Sequence, residues 1–282
     1  MATETVDFKL YRYNPSIVAA ILFTILFLST TTLHLYQMLR TRTWILIPFV
    51  LGGIFEVVGY IGRAISAHES PNWSIAVYSL QTILLLVAPA LFVASVYMML
   101  GRIILVTDGE KYAVIPRNWL TKTFVAGDVV SFLMQGGGGG IMASGTVTAM
   151  HTGEKIIIGG LVVQLIFFGF FVVVGMVFHV RLLREPTVKL YSQPIPWKRQ
   201  LGALYGASVL ILVRCVFRLV EYVQGNDGFL ISHEAFLYGF DAVLMLGTMV
   251  LMAYIHPSEI TALLKGGKDR LVRRAISVYS LR

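Results

Sequence analysis

The chain has 282 residues, of which 56% are hydrophobic and only 13% are charged, and its formal net charge is +8. A soluble domain of this size is about half apolar and about a quarter charged, so this composition excludes a water-soluble globule. The single cysteine, Cys215, excludes an intrachain disulfide and a cysteine metal cluster. The class that remains is a membrane protein built from successive apolar segments.

Apolar segments and short polar connections alternate along the chain. An α-helix rises about 1.5 Å per residue, so crossing a hydrocarbon core of about 30 Å takes about 20 largely apolar residues. Seven segments reach that length: 16–38, 44–67, 74–100, 121–143, 156–178, 201–223 and 233–255. The first is longer than the apolar core of a signal peptide and lacks a small-residue cleavage site, so we expect it to be retained. The predicted fold is an all-α polytopic membrane bundle of seven transmembrane helices.

The positions of lysine and arginine predict the orientation of this bundle. With the N-terminus outside, 17 of the 23 basic residues face the cytoplasm, and only Lys9, Arg12 and Lys155 face outward. This asymmetry is the positive-inside pattern. We therefore predict an extracellular tail 1–15, a transmembrane domain 16–255 and a basic cytoplasmic tail 256–282. We expect the basic tail to lie near anionic lipid headgroups, and we expect no nucleic-acid partner.

Seven ionisable side chains fall at bilayer depth within these segments. Such groups cost on the order of several kcal/mol when unpaired, so each is a candidate functional residue. Helical spacing places Glu56 and Arg63 on one face of the second helix, and Arg214, Arg218 and Glu221 on one face of the sixth. With two amides at comparable depths, the candidate substrate-binding residues are Glu56, Arg63, Gln81, Asp128, Gln135, Arg214, Arg218, Glu221 and Asp241.

The direction of each helix predicts the depth of these groups. All except Asp128 fall in the middle or outer half of the bundle, where we expect one polar cluster, whereas Asp128 falls deeper toward the cytoplasm. Two interpretations stay open at this point. The charges neutralise one another and fix helix packing, or they line a cavity for a substrate.

The run 135–140 (QGGGGG) is the most unusual local feature. No lysine follows it and it lies in a membrane segment, so it is not a phosphate-binding loop. Glycines there allow close helix approach, a local break, or both. Pro48 and Pro89 lie in or near helices, and Pro89 is the stronger candidate for a kink.

The residues give little support to an enzyme. The six histidines are scattered and form no HExxH motif, and no membrane serine stands in a nucleophile motif. We expect no metal and no cofactor. An acid-catalysed intramembrane reaction that uses Glu56, Asp128 or Asp241 stays open as an alternative.

Several blocks of the sequence resemble the fungal Rta-like (RTA1-like) family, whose members are often called lipid-translocating exporters. The blocks are 13–16 (YNPS), 56–63 (EVVGYIGR), 81–89 (QTILLLVAP), 97–102 (YMMLGR), 128–131 (DVVS), 135–140, 214–221 (RCVFRLVE), Gln224-Gly225, Gly228, His233-Glu234, Tyr238, Phe240-Asp241 and His256-Pro257. The resemblance covers nearly the whole chain. It implies a seven-helix fungal membrane protein whose relatives are linked to sphingoid long-chain-base release, sterol-analogue resistance and porphyrin transport.

These observations predict that the protein is a translocator or exporter of amphipathic lipids, such as a sphingoid long-chain base or a sterol-like compound. Such a protein would confer lipid or drug resistance. Its partners would be membrane lipids and the amphipathic substrate, and its location the plasma membrane. No nucleotide-binding motif is present, so transport would be facilitated, proton-coupled or indirect. The rival hypothesis is a seven-helix lipid or sterol sensor that signals through its cytoplasmic loops.

Overall fold

A computed structural model describes residues 13–142, 146–192, 195–225 and 228–265. Within them the chain is all-α, as predicted. The helices are α1 (Ile17–Thr41), α2 (Ile47–His68), α3 (Ile75–Val106), α4 (Arg117–Met142), α5 (Val147–Arg184), α6 (Val188–Ser192), α7 (Trp197–Val223), α8 (Glu234–Leu237), α9 (Val243–Tyr254) and α10 (Ser258–Leu264). One π-helical turn, Tyr238–Ala242, joins α8 to α9, and we call the continuous element Glu234–Tyr254 the last span.

Six helices in the described residues are long and apolar enough to cross a membrane. They are Ile17–Thr41, Trp44–His68, Ile75–Val106, Thr148–Arg184, Trp197–Val223 and Glu234–Tyr254. The predicted fourth segment is a helix of 26 residues, but it is not among the six. It carries five consecutive glycines together with Asp128 and Gln135, which dilute its apolar character. The number of crossings and the orientation therefore stay predictions.

Polar residues and proline define the helix ends. The Ser16 hydroxyl accepts a hydrogen bond from the Ala19 N–H (3.3 Å) at the start of α1, which satisfies one of the free N–H groups of the first turn. Arg42 ends α1 with a positive φ of 54°. Pro48 lies in the first turn of α2, where proline fits without a kink. Pro89 lies inside α3.

Neighbouring long helices run antiparallel. Phe27 stacks on Tyr60 while His34, further along α1, lies against Phe49, earlier on α2. The same reversal relates α2 to α3, α3 to α4, α4 to α5, α5 to α7, and α7 to the last span. The last span then returns to α1 and runs parallel to it. Its first residue, Glu234, bonds to Ser16, and its end reaches Gln37 through Ala253.

A contact between α3 and α7 crosses the middle of this ring of helices. It divides the bundle into two parts that share α3 and α7. The five-helix half consists of α1, α2, α3, α7 and the last span. The four-helix half consists of α3, α4, α5 and α7.

The glycine run stays helical in the described part of α4. A Cβ atom at Gly138 would lie 2.7 Å from the Gly153 carbonyl oxygen of α5, so glycine is required for this close approach. The other four glycines of the run, at 136, 137, 139 and 140, have no neighbour within 4 Å of a Cβ position. Close packing is therefore observed at Gly138, and the helix is not broken along the run.

One end of the bundle is basic and closed by α10. Arg199 pairs with Glu259 at 2.6 Å, and the Lys265 ammonium donates to the Arg42 carbonyl oxygen at 3.1 Å. Ile260 of α10 is buried beneath the bundle. We call this the basic end. Most of the predicted basic tail, 266–282, and most of the N-terminal tail, 1–12, lie outside the described residues.

Candidate functional site

Three buried ion pairs lie in the five-helix half. Each joins an arginine of α2 or α7 to a carboxylate of α7 or the last span. The pairs are Arg63–Glu234 (2.9 Å), Arg214–Asp241 and Arg218–Glu221 (2.7 Å). Because buried charges are stable only when paired and hydrogen-bonded, these contacts explain how the helices tolerate them.

The Arg63 pair lies at the end of the bundle opposite the basic end. The guanidinium donates to the hydroxyl of Tyr13 (2.5 Å), to Glu234 (2.9 Å) and to the hydroxyl of Tyr238 (3.2 Å). Its carbon also lies 5.7 and 5.4 Å from the ring centroids of Tyr13 and Tyr238, within the range of cation–π attraction. The second Glu234 oxygen accepts the Ser16 N–H (2.8 Å). The pair therefore connects α2, the last span and the start of α1.

The Arg214 pair bridges two irregular helices. Proline has no N–H, so Pro89 leaves the Leu85 carbonyl of α3 without its helical partner. Arg214 donates to that carbonyl oxygen (3.2 Å) and to Asp241. Asp241 lies in the π-helical turn of the last span, and π-helical turns are often found at functional sites. Arg214 thus donates both to the carbonyl oxygen that Pro89 leaves unpaired in α3 and to the carboxylate in the π-helical turn of the last span.

The Arg218 pair is local to α7. Arg218 and Glu221 are three residues apart, one helical turn, and Arg218 also lies 5.3 Å from the Tyr222 ring centroid. Asp241 and Tyr78 are further electrostatic neighbours of Arg218. The third pair is therefore continuous with the second.

Glu56 completes the network on α2. It is 2% exposed, and Asp241 and Arg214 are its electrostatic neighbours. Among the described residues no basic side chain forms an ion pair with it. Tyr60, one turn further along, neighbours Glu56, Asp241 and Arg63, and so links the pairs.

By formal count, the network has one more acidic side chain than basic side chains. Its carboxylates are Glu56, Glu221, Glu234 and Asp241, and its guanidiniums are Arg63, Arg214 and Arg218. Among the described residues, Glu56 is thus the one acidic side chain of the network without an ion-pair partner. This arrangement is suited to receive one additional positive charge.

Six of the nine predicted site residues lie together in this network. Gln81 packs against Gly62, beside Arg63, at the α2–α3 contact. Gln135 lies elsewhere, because its amide donates to Ser131 (2.7 Å) and to Gln164 (3.2 Å) at the α4–α5 contact. Asp128 is also in the four-helix half, beside Tyr97. The expectation of one cluster is wrong for Gln135.

The sequence interpretation missed Glu234 and the tyrosines around it. Glu234 stands at the end of a predicted segment, 233–255, and is not among the seven ionisable residues that the sequence predicts at bilayer depth. A signal was present, since Tyr13, Glu234 and Tyr238 all stand in the family blocks. Within the described ranges, no group of three or more His, Cys, Asp or Glu converges as a metal site.

A lipid-facing groove of about 370 Å³ lies between α1 and α2. It is lined by Ile21, Thr24, Ile25, Ile61, Ala64, Ile65 and His68. The outer faces of α1 and its neighbours expose large apolar side chains, such as Val18 (74% exposed) and Leu22 (53%). Apolar surface of this extent is suited to lipid chains.

The family model described as RTA1-like protein matches residues 49–263, which include all seven charged members of the network. The chain belongs to the RTA1-like family. It is 38% identical to Protein RTM1 of Saccharomyces cerevisiae over 279 residues, 85% of this chain and 89% of the relative. It is 37% identical to Protoporphyrin uptake protein 1 of the same species over 90% of this chain and 93% of the relative. It is 28% identical to the Sphingoid long-chain base transporter RSB1, over 80% of this chain and 67% of the relative.

Membership of the RTA1-like family confirms the resemblance found in the sequence blocks. Together with the six apolar helices, it identifies the chain as an integral membrane protein related to lipid transporters. No solved structure matches the chain.

Proposed function

We propose that this RTA1-like protein translocates amphipathic lipids with a cationic head, such as sphingoid long-chain bases, across the membrane. The observation that carries the proposal is the buried carboxyl group of Glu56, which lies beside the Arg214–Asp241 pair and has no ion-pair partner among the described residues. An ammonium head brings one positive charge and three N–H donors, which a buried carboxylate accepts strongly. The head would neutralise the network while it is bound.

The apolar part of such a lipid needs no polar site. Its chain stays in the bilayer or in the groove between α1 and α2 while the head reaches the network. The name of one relative, a sphingoid long-chain base transporter, supports a substrate of this shape.

A second candidate is an anionic amphipath. One relative is named for uptake of protoporphyrin, which carries carboxylates on an apolar ring, and the network offers Arg63, Arg214 and Arg218 among stacked tyrosines. The charges favour the cation, because each arginine already has a carboxylate partner and Glu56 has none among the described residues.

The proposal includes seven crossings, with the N-terminus outside. Each long helix from α1 to the last span is antiparallel to the one before, and the last span is parallel to α1. Parallel first and last crossings require an odd number, which supports α4 as a crossing. The basic end, with Arg42, Arg199 and Lys265, supports a cytoplasmic C-terminus. We place the protein in the plasma membrane, where export confers resistance, with its basic tail on anionic lipids.

Purified protein in liposomes tests the proposal. A fluorescent long-chain base in the outer leaflet should move to the inner leaflet faster than in protein-free liposomes, and Glu56→Gln should abolish most of the increase. The matched control is Glu110→Gln, the same change at an exposed ion pair with Arg117. A parallel arm with protoporphyrin tests the anionic candidate.

The outcomes separate the hypotheses. No movement of either compound above protein-free liposomes would reject the translocator, and saturable binding without movement would support the sensor. Movement of protoporphyrin alone would reject the cationic head. An equal effect of Glu56→Gln and Glu110→Gln would reject the network as the site.

A further inference from the structure

A second buried acidic group lies in the four-helix half, apart from the network. Asp128 of α4 lies beside Tyr97 of α3 and Cys215 of α7. Asp128 is 6% exposed and Tyr97 is fully buried. Within the described part of the chain, the Asp128 Oδ2 atom has no hydrogen-bond partner, and the Tyr97 hydroxyl has none other than the Asp128 carboxyl group beside it.

The surroundings of this pair supply no compensating charge. The Tyr97 ring lies among Phe124 (5.2 Å), Phe168 (6.4 Å) and Phe171 (4.5 Å) from α4 and α5. The titratable groups beside Asp128 are Tyr97 from α3 and Cys215 from α7, and α5 places Phe168 and Phe171 against the Tyr97 ring. No ion pair to Asp128 occurs among the described residues. An ionised carboxylate in such a place costs on the order of several kcal/mol.

The set of donor atoms decides which ligand fits. One carboxylate, one phenol and one thiol do not provide the six or more oxygens that Ca²⁺ prefers, or the near-octahedral oxygen shell of Mg²⁺. The aromatic rings pack against one another at 4.5 to 6.4 Å, which leaves no space for a lipid head. A proton needs no space, and it removes the uncompensated charge.

We propose that Asp128 is an intramembrane proton-binding site with Tyr97 as its hydrogen-bonding partner. When Asp128 is ionised, its carboxylate accepts from the Tyr97 hydroxyl. When Asp128 is protonated, its O–H donates to the Tyr97 oxygen. The proton comes from water and returns to water, and no electrons are transferred.

The shared helices connect this site to the network. Tyr97 and Leu85 are both on α3, and Cys215 follows Arg214 on α7. A change in the packing of Asp128 against α3 and α7 would therefore move the same two helices that carry the Leu85 carbonyl and Arg214. Proton binding at Asp128 would make lipid movement proton-coupled. This coupling, but not the proton site itself, rests on the proposed function.

Infrared difference spectra between two pH values test the proton site. The full chain in nanodiscs should show the C=O stretching band of a buried carboxylic acid that is lost in Asp128→Asn. The matched control Asp108→Asn, at an exposed position, should keep it. Tyr97→Phe should shift the band without removing it, because only its hydrogen bond changes. A difference spectrum that Asp128→Asn leaves unchanged would overturn the site, whereas a separate band that Glu56→Gln removes belongs to the network.

Liposomes with an imposed pH gradient test the coupling. One coupled proton changes the final distribution of labelled base by up to about tenfold per unit of pH gradient. Protein-free liposomes with the same gradient correct for the titration of the base itself. The Asp128→Asn variant should still transport the base, but the final distribution of the base should not depend on the pH gradient. Wild-type movement that ignores the gradient would overturn the coupling. Absence of any wild-type movement would reject the proposed function, and the infrared result would still decide the proton site.

Discussion

The two halves of the bundle each bury an aspartate, and the two aspartates have opposite surroundings. In the five-helix half, three arginines each hold a carboxylate, and the pairs are joined by tyrosines. In the four-helix half, Asp128 lies among aromatic rings with no ion pair among the described residues. The same residue type, aspartate, is therefore paired at 241 and uncompensated at 128.

This difference predicts opposite responses to neutralisation. Removing one member of a paired set leaves its partner charged and buried, which is destabilising. Removing a charge that has no partner relieves a cost or changes nothing. Comparing the two aspartates under one substitution separates these cases.

The largest expected effect is the loss of Asp241. Asp241→Asn leaves Arg214 buried without its carboxylate, and we expect a loss of about 3–5 kcal/mol in unfolding free energy. Reversible unfolding in mixed detergent micelles measures it. The control Glu259→Gln breaks the partly exposed pair with Arg199 and should cost under about 1 kcal/mol. Equal losses in the two variants would contradict a buried pair at Asp241.

The next effect is steric and concerns the packing of α4 in the four-helix half. A methyl group at Gly138 would lie 2.7 Å from a backbone oxygen of α5, so Gly138→Ala should cost about 1–3 kcal/mol. Gly137→Ala, with no neighbour within 4 Å, should be neutral or stabilise by up to about 1 kcal/mol. Thermal unfolding of the two variants side by side measures the difference. Equal stability of the Gly138→Ala and Gly137→Ala variants would mean that α4 does not pack closely against α5 at Gly138.

A smaller effect tests the double role of Arg214. Arg214→Met removes the donor to the Leu85 carbonyl, and Pro89→Ala restores the helical N–H that proline lacks. In a double-mutant cycle, Pro89→Ala should therefore reduce the cost of Arg214→Met by about 1 kcal/mol. Strict additivity of the two substitutions would show that the carbonyl contact contributes nothing.

The sequence predicts which groups are buried better than it predicts their partners. The spacing of Arg214, Arg218 and Glu221 fixes a common helix face, because helical geometry is local. Whether Asp128 meets an arginine depends on which helices are neighbours across the bundle, and the period of one helix does not contain that information. For the same reason the predicted depth of Gln135 groups it with the charges, although it bonds to Gln164 of α5 in the four-helix half.

The smallest expected effect completes the comparison. Asp128→Asn should change the unfolding free energy by less than about 1 kcal/mol, because a protonated carboxyl and a carboxamide are nearly isosteric and both are neutral. The same detergent unfolding measurement, run beside Asp241→Asn, gives the contrast directly. A loss as large as that of Asp241→Asn would mean that Asp128 is ionised and paired. The two aspartates would then be stabilised in the same way. A small loss with intact fold leaves Asp128 as the one carboxyl of this comparison that can gain or release a proton without breaking an ion pair.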